Sequence, residues 1–179
     1  ETGSDASGNL SARGNLTFST TSTITDNGRT INLDGNNSAI IVGGNKTIST
    51  LTINKGIASS TLTFNTNALT VSGTTTVTSG VVIPNGNLTI GAAGNLVLSS
   101  LSGTVETNSP AYVSGATVTY GGGSARNIGS ELNTTTNLSN VNITNSSGVT
   151  LTSNLSLAFG TNFNVCLLYT SPSPRDRQK

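Results

Sequence analysis

KTISTLTINKGIASSTLTFNTNALTVSGTTTVTSGVVIPNGNLTIGAAGNLVLS, residues 46–99, is the stretch whose reading decides the fold. A three-residue unit recurs in it: Leu51-Thr52-Ile53, Leu62-Thr63-Phe64, Leu69-Thr70-Val71, Leu88-Thr89-Ile90 and Leu96-Val97-Leu98. Alternation at period two puts the outer members of each unit on one face of an extended chain and the middle one on the other. Thr, Val and Ile are stiff at the first side-chain torsion and suit a pleated surface. No run places apolar residues at i, i+3, i+4 and i+7, as an amphipathic helix requires.

Strands begin every seven or eight residues: Leu62 to Leu69, Leu69 to Val77, Leu88 to Leu96. A slower beat joins Ile31, Leu51, Leu69 and Leu88 at steps of 20, 18 and 19. Two or three short strands per beat predict an all-β chain folded as a single parallel β-helix (β-solenoid). Each coil takes roughly 18–22 residues and stacks its aliphatic side chains on the next at about 4.8 Å. The rival is an antiparallel sandwich, for which Asn27-Gly28 and Asn85-Gly86 would be good hairpin turns. Short strands and an aromatic content of 4% argue against it, because a ~10 Å inter-sheet core needs bulk.

Outward from that stretch, Gly14-Asn15-Leu16-Thr17-Phe18 is echoed at Gly86-Asn87-Leu88 and Gly94-Asn95-Leu96. Each Gly-Asn pair is expected to turn the chain into a strand, with the Asn amide bonding nearby backbone or stacking as an amide ladder. Residues 1–9 are small and polar and are expected to fray. Residues 10–165 form the repeat domain. Gly121-Gly122-Gly123 and the residues up to Gly129 read as a loop bulging from a coil, since no Gly-Lys-Ser/Thr follows to make a phosphate cradle. Residues 166–179 change character: Cys166-Leu167-Leu168-Tyr169-Thr170-Ser171-Pro172-Ser173-Pro174-Arg175-Asp176 resembles a translated sequencing adapter, and the tail is expected to be non-native and disordered. The opening Glu1-Thr2-Gly3 reads as the start of an internal piece of something larger.

Composition narrows function by exclusion. Thr 31, Ser 25, Asn 23 and Gly 21 fill 100 of 179 positions, and only 8% of residues are charged. The formal charge of +1 owes its sign to the tail: before Cys166, five basic residues face six acidic ones. Arg13, Arg29, Lys46, Lys55 and Arg126 are scattered, which argues against nucleic-acid binding. No apolar run approaches the 18 or so residues of a membrane span. The chain has no His, and Cys166 is its one thiol, so the usual zinc sites and Ser–His or Cys–His nucleophile pairs are not expected. No catalytic, cofactor-binding or metal-binding residue is assigned.

Three patterns resemble sites. Asp26 and Asp34 would be a carboxylate pair for glycoside or calcium chemistry, but turn formation explains both. Glu106, Arg126 and Glu131 would make a lyase-like face, but nothing pairs them by spacing, and a solvated surface is the expected state. Thr-x-Thr at residues 23, 50, 61, 76, 117 and 150 would suggest an ice-binding face, but its intervals of 27, 11, 15, 41 and 33 are irregular. Sequons at Asn15, Asn87, Asn142 and Asn154 arise by chance in a chain this rich in Asn, Ser and Thr.

The run Asn137-Leu138-Ser139-Asn140-Val141-Asn142-Ile143, continuing through Asn154-Leu155, is similar to repeats in large bacterial surface proteins exported by the type IX route. Residues 46–98 resemble adhesin-type β-strand repeats of autotransporter passengers and filamentous haemagglutinin-like proteins. The resemblance implies a right-handed solenoid of roughly seven to nine coils. It implies a structural, adhesin-like stalk segment of a secreted or cell-surface bacterial protein, not an enzyme. Its implied partners are surface glycans, a host or neighbouring cell surface, and further repeats of a longer protein. The alternatives are a carbohydrate-binding or polysaccharide-lyase β-helix and, third, an ice-binding face.

Overall fold

A computed structural model describes residues 2–4, 8–133, 135–152 and 154–166. The tail expected to be disordered lies outside the described residues except for Cys166, whose backbone N–H donates to the Ile143 carbonyl.

The chain winds as coils. Thr2–Ser4 (β1) precedes the first, which holds Leu10–Ala12 (β2) and Leu16–Phe18 (β3). The second holds Thr30–Leu33 (β4), Ser38–Val42 (β5) and Lys46–Ile48 (β6); the third Thr50–Asn54 (β7), Thr61–Asn65 (β8) and Leu69–Val71 (β9). In the fourth, one strand, Thr74–Ile83 (β10), serves two sides before Leu88–Ile90 (β11). The fifth has Asn95–Leu98 (β12), Gly103–Val105 (β13) and Ala111–Tyr112 (β14); the sixth Ala116–Tyr120 (β15), Arg126–Asn127 (β16) and a 3-10 turn, Ser130–Leu132. Leu138–Ile143 (β17) and Val149–Thr150 (β18) make the seventh, and Asn162–Val165 (β19) begins another.

Like sides stack in parallel. A long sheet runs β2-β4-β7-β10-β12-β15-β17-β19; a second joins β3, β5, β8, β10 and β13; a third joins β6, β9, β11 and β14; β16 pairs with β18 alone. Every pairing among the described strands is parallel except β1 with β2. The sandwich is thereby excluded and the β-solenoid established. The Asn-Gly turns do form, with φ of 50° at Asn27 and 49° at Asn85, and Asn85-Gly86 links two sides of one coil instead of closing a hairpin. Within residues 1–9, read as fraying, the backbone of Thr2–Ser4 pairs antiparallel with Leu10–Ala12 and occupies that edge of the long sheet.

Two inward columns follow from the register. Leu10, Ile31, Leu51, Thr75, Leu96, Val118, Val141 and Phe163 are successive partners, as are Ala12, Leu33, Ile53, Val77, Leu98, Tyr120, Ile143 and Val165. From Ile31 to Val141 the first column is buried. Fully burying one such aliphatic is worth about 1.5–3 kcal/mol against leaving it exposed, so stacking is what stabilises a coil too thin to have a core of its own.

Five of the seven coil steps in the long sheet fall within the expected 18–22 residues, and two run longer, Leu51 to Thr75 at 24 and Val118 to Val141 at 23; what differs from the sequence reading is which residues mark the beat. Ile31 to Leu51 is one coil of 20 residues, but Leu51 pairs with Thr75, a step of 24, while Leu69 belongs to the third sheet and pairs with Leu88. The 18-residue step joined two different sides. A search for aliphatics passes over Thr75, a hydroxyl in an aliphatic column. Its Oγ1 is buried with no hydrogen-bond partner. Thr75→Val keeps the shape and removes the orphan. It is expected to raise stability by about 1 kcal/mol, read as a Tm increase of roughly 2–4 °C by circular dichroism.

Candidate functional site

Two regions gather polar side chains: the outer face of the long sheet, and a cluster inside the tube at the sixth coil.

The outer face carries two columns. One runs Ser11, Asn32, Thr52, Thr76, Val97, Thr119, Asn142, Asn164. The other includes Thr30 beside Thr50, then Thr74, Asn95, Thr117, Asn140 and Asn162. None of these side chains is charged, and Val97 is the one aliphatic among them. Rows are about 4.8 Å apart along the tube, and alternate residues on a strand about 6.6 Å apart. The upper rows bond to one another: Thr119 Oγ1 donates to Asn95 Oδ1 at 3.0 Å, Asn162 Nδ2 to Asn140 Oδ1 at 3.2 Å and Asn164 Nδ2 to Asn142 Oδ1 at 2.9 Å. The amide ladder therefore lies on the sheet face, not at the corners. At the corners, asparagines reach the backbone of an adjacent coil: Asn15 Oδ1 accepts the Ala39 N–H, Asn37 Oδ1 the Thr61 N–H, and Asn87 Nδ2 donates to the Phe64 carbonyl. The sequon residues Asn15, Asn87 and Asn142 thus hold coils together.

The cluster corrects the sequence reading of Arg126 and Glu131 as solvated. Both are buried, at 4% and 1% exposure, while Glu106 stays exposed. Arg126 turns inward from β16 and donates from Nη1 to the carbonyls of Leu98 and Ser100 and from Nη2 to that of Gly103. Its guanidinium lies 5.6 Å from the centre of the Tyr120 ring. Glu131 Oε1 accepts from the Tyr120 hydroxyl at 2.7 Å and the Gly129 N–H at 2.9 Å; its backbone carbonyl accepts from the Tyr112 hydroxyl at 2.6 Å. The Gly121–Gly129 segment is therefore not a simple outward bulge: it leaves the tube and returns to place Arg126 and Ile128 inside. Nothing in the local sequence signals this, because the partners lie up to 28 residues away.

Burial, and then the Glu131 charge, hold both phenols above their ordinary range. Burial presses the Arg126 guanidinium down, opposed by Glu131 and Tyr120. A tyrosine whose folded pKa is raised contributes stability that is complete below its unfolded value of about 10 and is lost as pH rises past it. Lys55, pressed down by burial against the pull of Asp34, works the other way: its contribution grows with pH toward its ordinary 10.5. The expected result is an unfolding midpoint that falls steeply above about pH 10, with Tyr112 and Tyr120 ionising only as the far-UV β signal disappears. Ionisation of both phenols with that signal intact would contradict it.

The other candidates are structural. Asp26 accepts from the Gly28 N–H at 3.1 Å and from the Ser49 hydroxyl at 2.7 Å and N–H, making its turn and pinning it to the next coil. Partial burial pushes its carboxyl up, and these donors outweigh that and hold it low. Asp34 turns instead to Arg13, 3.7 Å away in an exposed pair of small worth, so the two carboxylates form no common site. Lys55, one of the scattered cations, is also buried, with Nζ donating to Ser38 Oγ at 2.6 Å and the Asp34 carbonyl at 3.3 Å. Among the described residues no three His, Cys, Asp or Glu side chains gather as metal ligands, and no helix is long and apolar enough to cross a membrane. A cleft of about 190 Å³ is lined by Ile128, Gly129, Leu132, Leu151, Leu155 and uncharged polar neighbours.

Fold and surfaces define the class: a β-solenoid protein. In comparison with known proteins, the chain matches no family model, no curated protein and no solved structure.

Proposed function

We propose that the chain is a structural, adhesin-like stalk segment of a secreted or cell-surface bacterial protein, and that it works without catalysis. One observation carries this reading: the outer face of the long sheet, unbroken from β2 to β19, with two columns of uncharged polar side chains. Many weak identical contacts along a rigid face suit adhesion to an extended neutral surface, such as a glycan coat, through multivalency. The similarity of residues 137–155 to repeats of bacterial surface proteins supports the location. The test is retention of beads coated with the full chain on glycan-coated or bacterial surfaces under flow. Adhesion should vanish when Thr52 and Thr76, adjacent on the face, are both changed to lysine, with the unfolding midpoint held. Retention unchanged by that pair would overturn the reading. Calcium-dependent release of unsaturated products from a uronate polysaccharide would favour the lyase alternative.

A second reading gains support from the register. Of the six Thr-x-Thr pairs, Thr50-x-Thr52 and Thr117-x-Thr119 lie in the two outer columns of the long sheet, and Thr74 and Thr76 occupy the same two columns in the fourth coil. Stiff threonines at fixed spacing can order water. Thermal hysteresis in a freezing assay, abolished by the same lysine pair, would select this ice-binding reading over adhesion.

A further inference from the structure

We infer that the tube is built as two cooperative blocks with a weak joint between its fifth and sixth coils, and that the C-terminal block opens first. Between the second and third coils, the third and fourth, and the fourth and fifth, all three sheets continue. Among the described residues, only the long sheet continues between the fifth and sixth, through β12 and β15. There the second sheet ends at β13 and the third at β14, and a new ladder, β16 with β18, starts one coil later.

Side chains bridge the gap. Arg126 supplies the carbonyls of Leu98, Ser100 and Gly103; the Tyr112 hydroxyl reaches the Glu131 carbonyl, and the Ser109 hydroxyl the Ser130 carbonyl. Gly129 makes the close approach possible, since a Cβ there would lie 3.1 Å from the Val105 carbonyl oxygen. A backbone ladder adds a bond with every residue paired, whereas this clamp depends chiefly on one guanidinium. The fifth and sixth coils are therefore coupled less tightly than the second to fifth are to one another, and a rod under tension or in denaturant parts there before the coils within the N-terminal block separate.

Native-state hydrogen exchange on the full chain tests this. Amides of β15 to β18 should exchange as one group, roughly tenfold or more faster than those of β7 to β12, with a step at the joint. Arg126→Ala should speed the upper group further and leave β5 to β9 unchanged. Should that variant fail to fold, Arg126→Lys, which gives up the guanidinium fork, keeps the comparison available. Equal protection in both groups would overturn the inference. So would a smooth decline toward residue 166, which is end fraying, or an equal acceleration of both groups in the variant.

Discussion

Glu131→Ala is expected to lower the stability of the C-terminal block by about 2–4 kcal/mol, since it strands two buried hydrogen-bond donors at roughly 1–3 kcal/mol each. The carboxylate accepts the Tyr120 hydroxyl and the Gly129 N–H, while the buried Arg126 guanidinium is bonded to backbone carbonyls and feels the Glu131 charge without pairing with it. Alanine strands the Tyr120 hydroxyl and the Gly129 N–H and removes the negative charge that favours the charged form of Arg126. The Tyr112 hydroxyl keeps its partner, because that is the Glu131 backbone carbonyl. Glu131→Gln retains an acceptor for Tyr120 and loses only the charge, so its effect should be smaller. Urea unfolding followed by far-UV circular dichroism separates the two. A loss under about 1 kcal/mol in the alanine variant would show that the cluster is wet and the carboxylate replaceable.

The strands were legible because period-two alternation is local: every aliphatic triplet of residues 46–99 is a strand with its outer members buried. The parallel stack was legible because short strands with little aromatic bulk leave few other ways to bury those faces. What the sequence did not disclose depends on contacts one coil away. Lys55, Arg126 and Glu131 look like surface charges, and each is buried by partners that no local pattern identifies. The outer face was obscured for the same reason. Coils of 20 and 24 residues scatter the Thr-x-Thr pairs in sequence, while register brings Thr52 beside Thr76.

Gly80→Val should be among the most damaging single changes, costing roughly 2–6 kcal/mol from backbone strain and overpacking together. β10 crosses from the long sheet to the second at this residue, with φ of 105°, a region β-branched side chains avoid. A Cβ here would lie 2.5 Å from Lys55 Cγ, 2.8 Å from Lys55 Cβ and 3.0 Å from the Ser60 carbonyl oxygen. The stem of Lys55 thus fills the room that glycine leaves, on the way to its bonds with Ser38 and Asp34. Gly28→Val is the control: φ is 75°, but nothing lies within 4 Å of the added Cβ, so only backbone strain is charged. The difference between the two variants, measured as unfolding free energies in urea, reports the crowding against Lys55 and Ser60. Equal losses would mean that β10 bends at this corner for reasons of backbone alone, and that the buried lysine moves aside without cost.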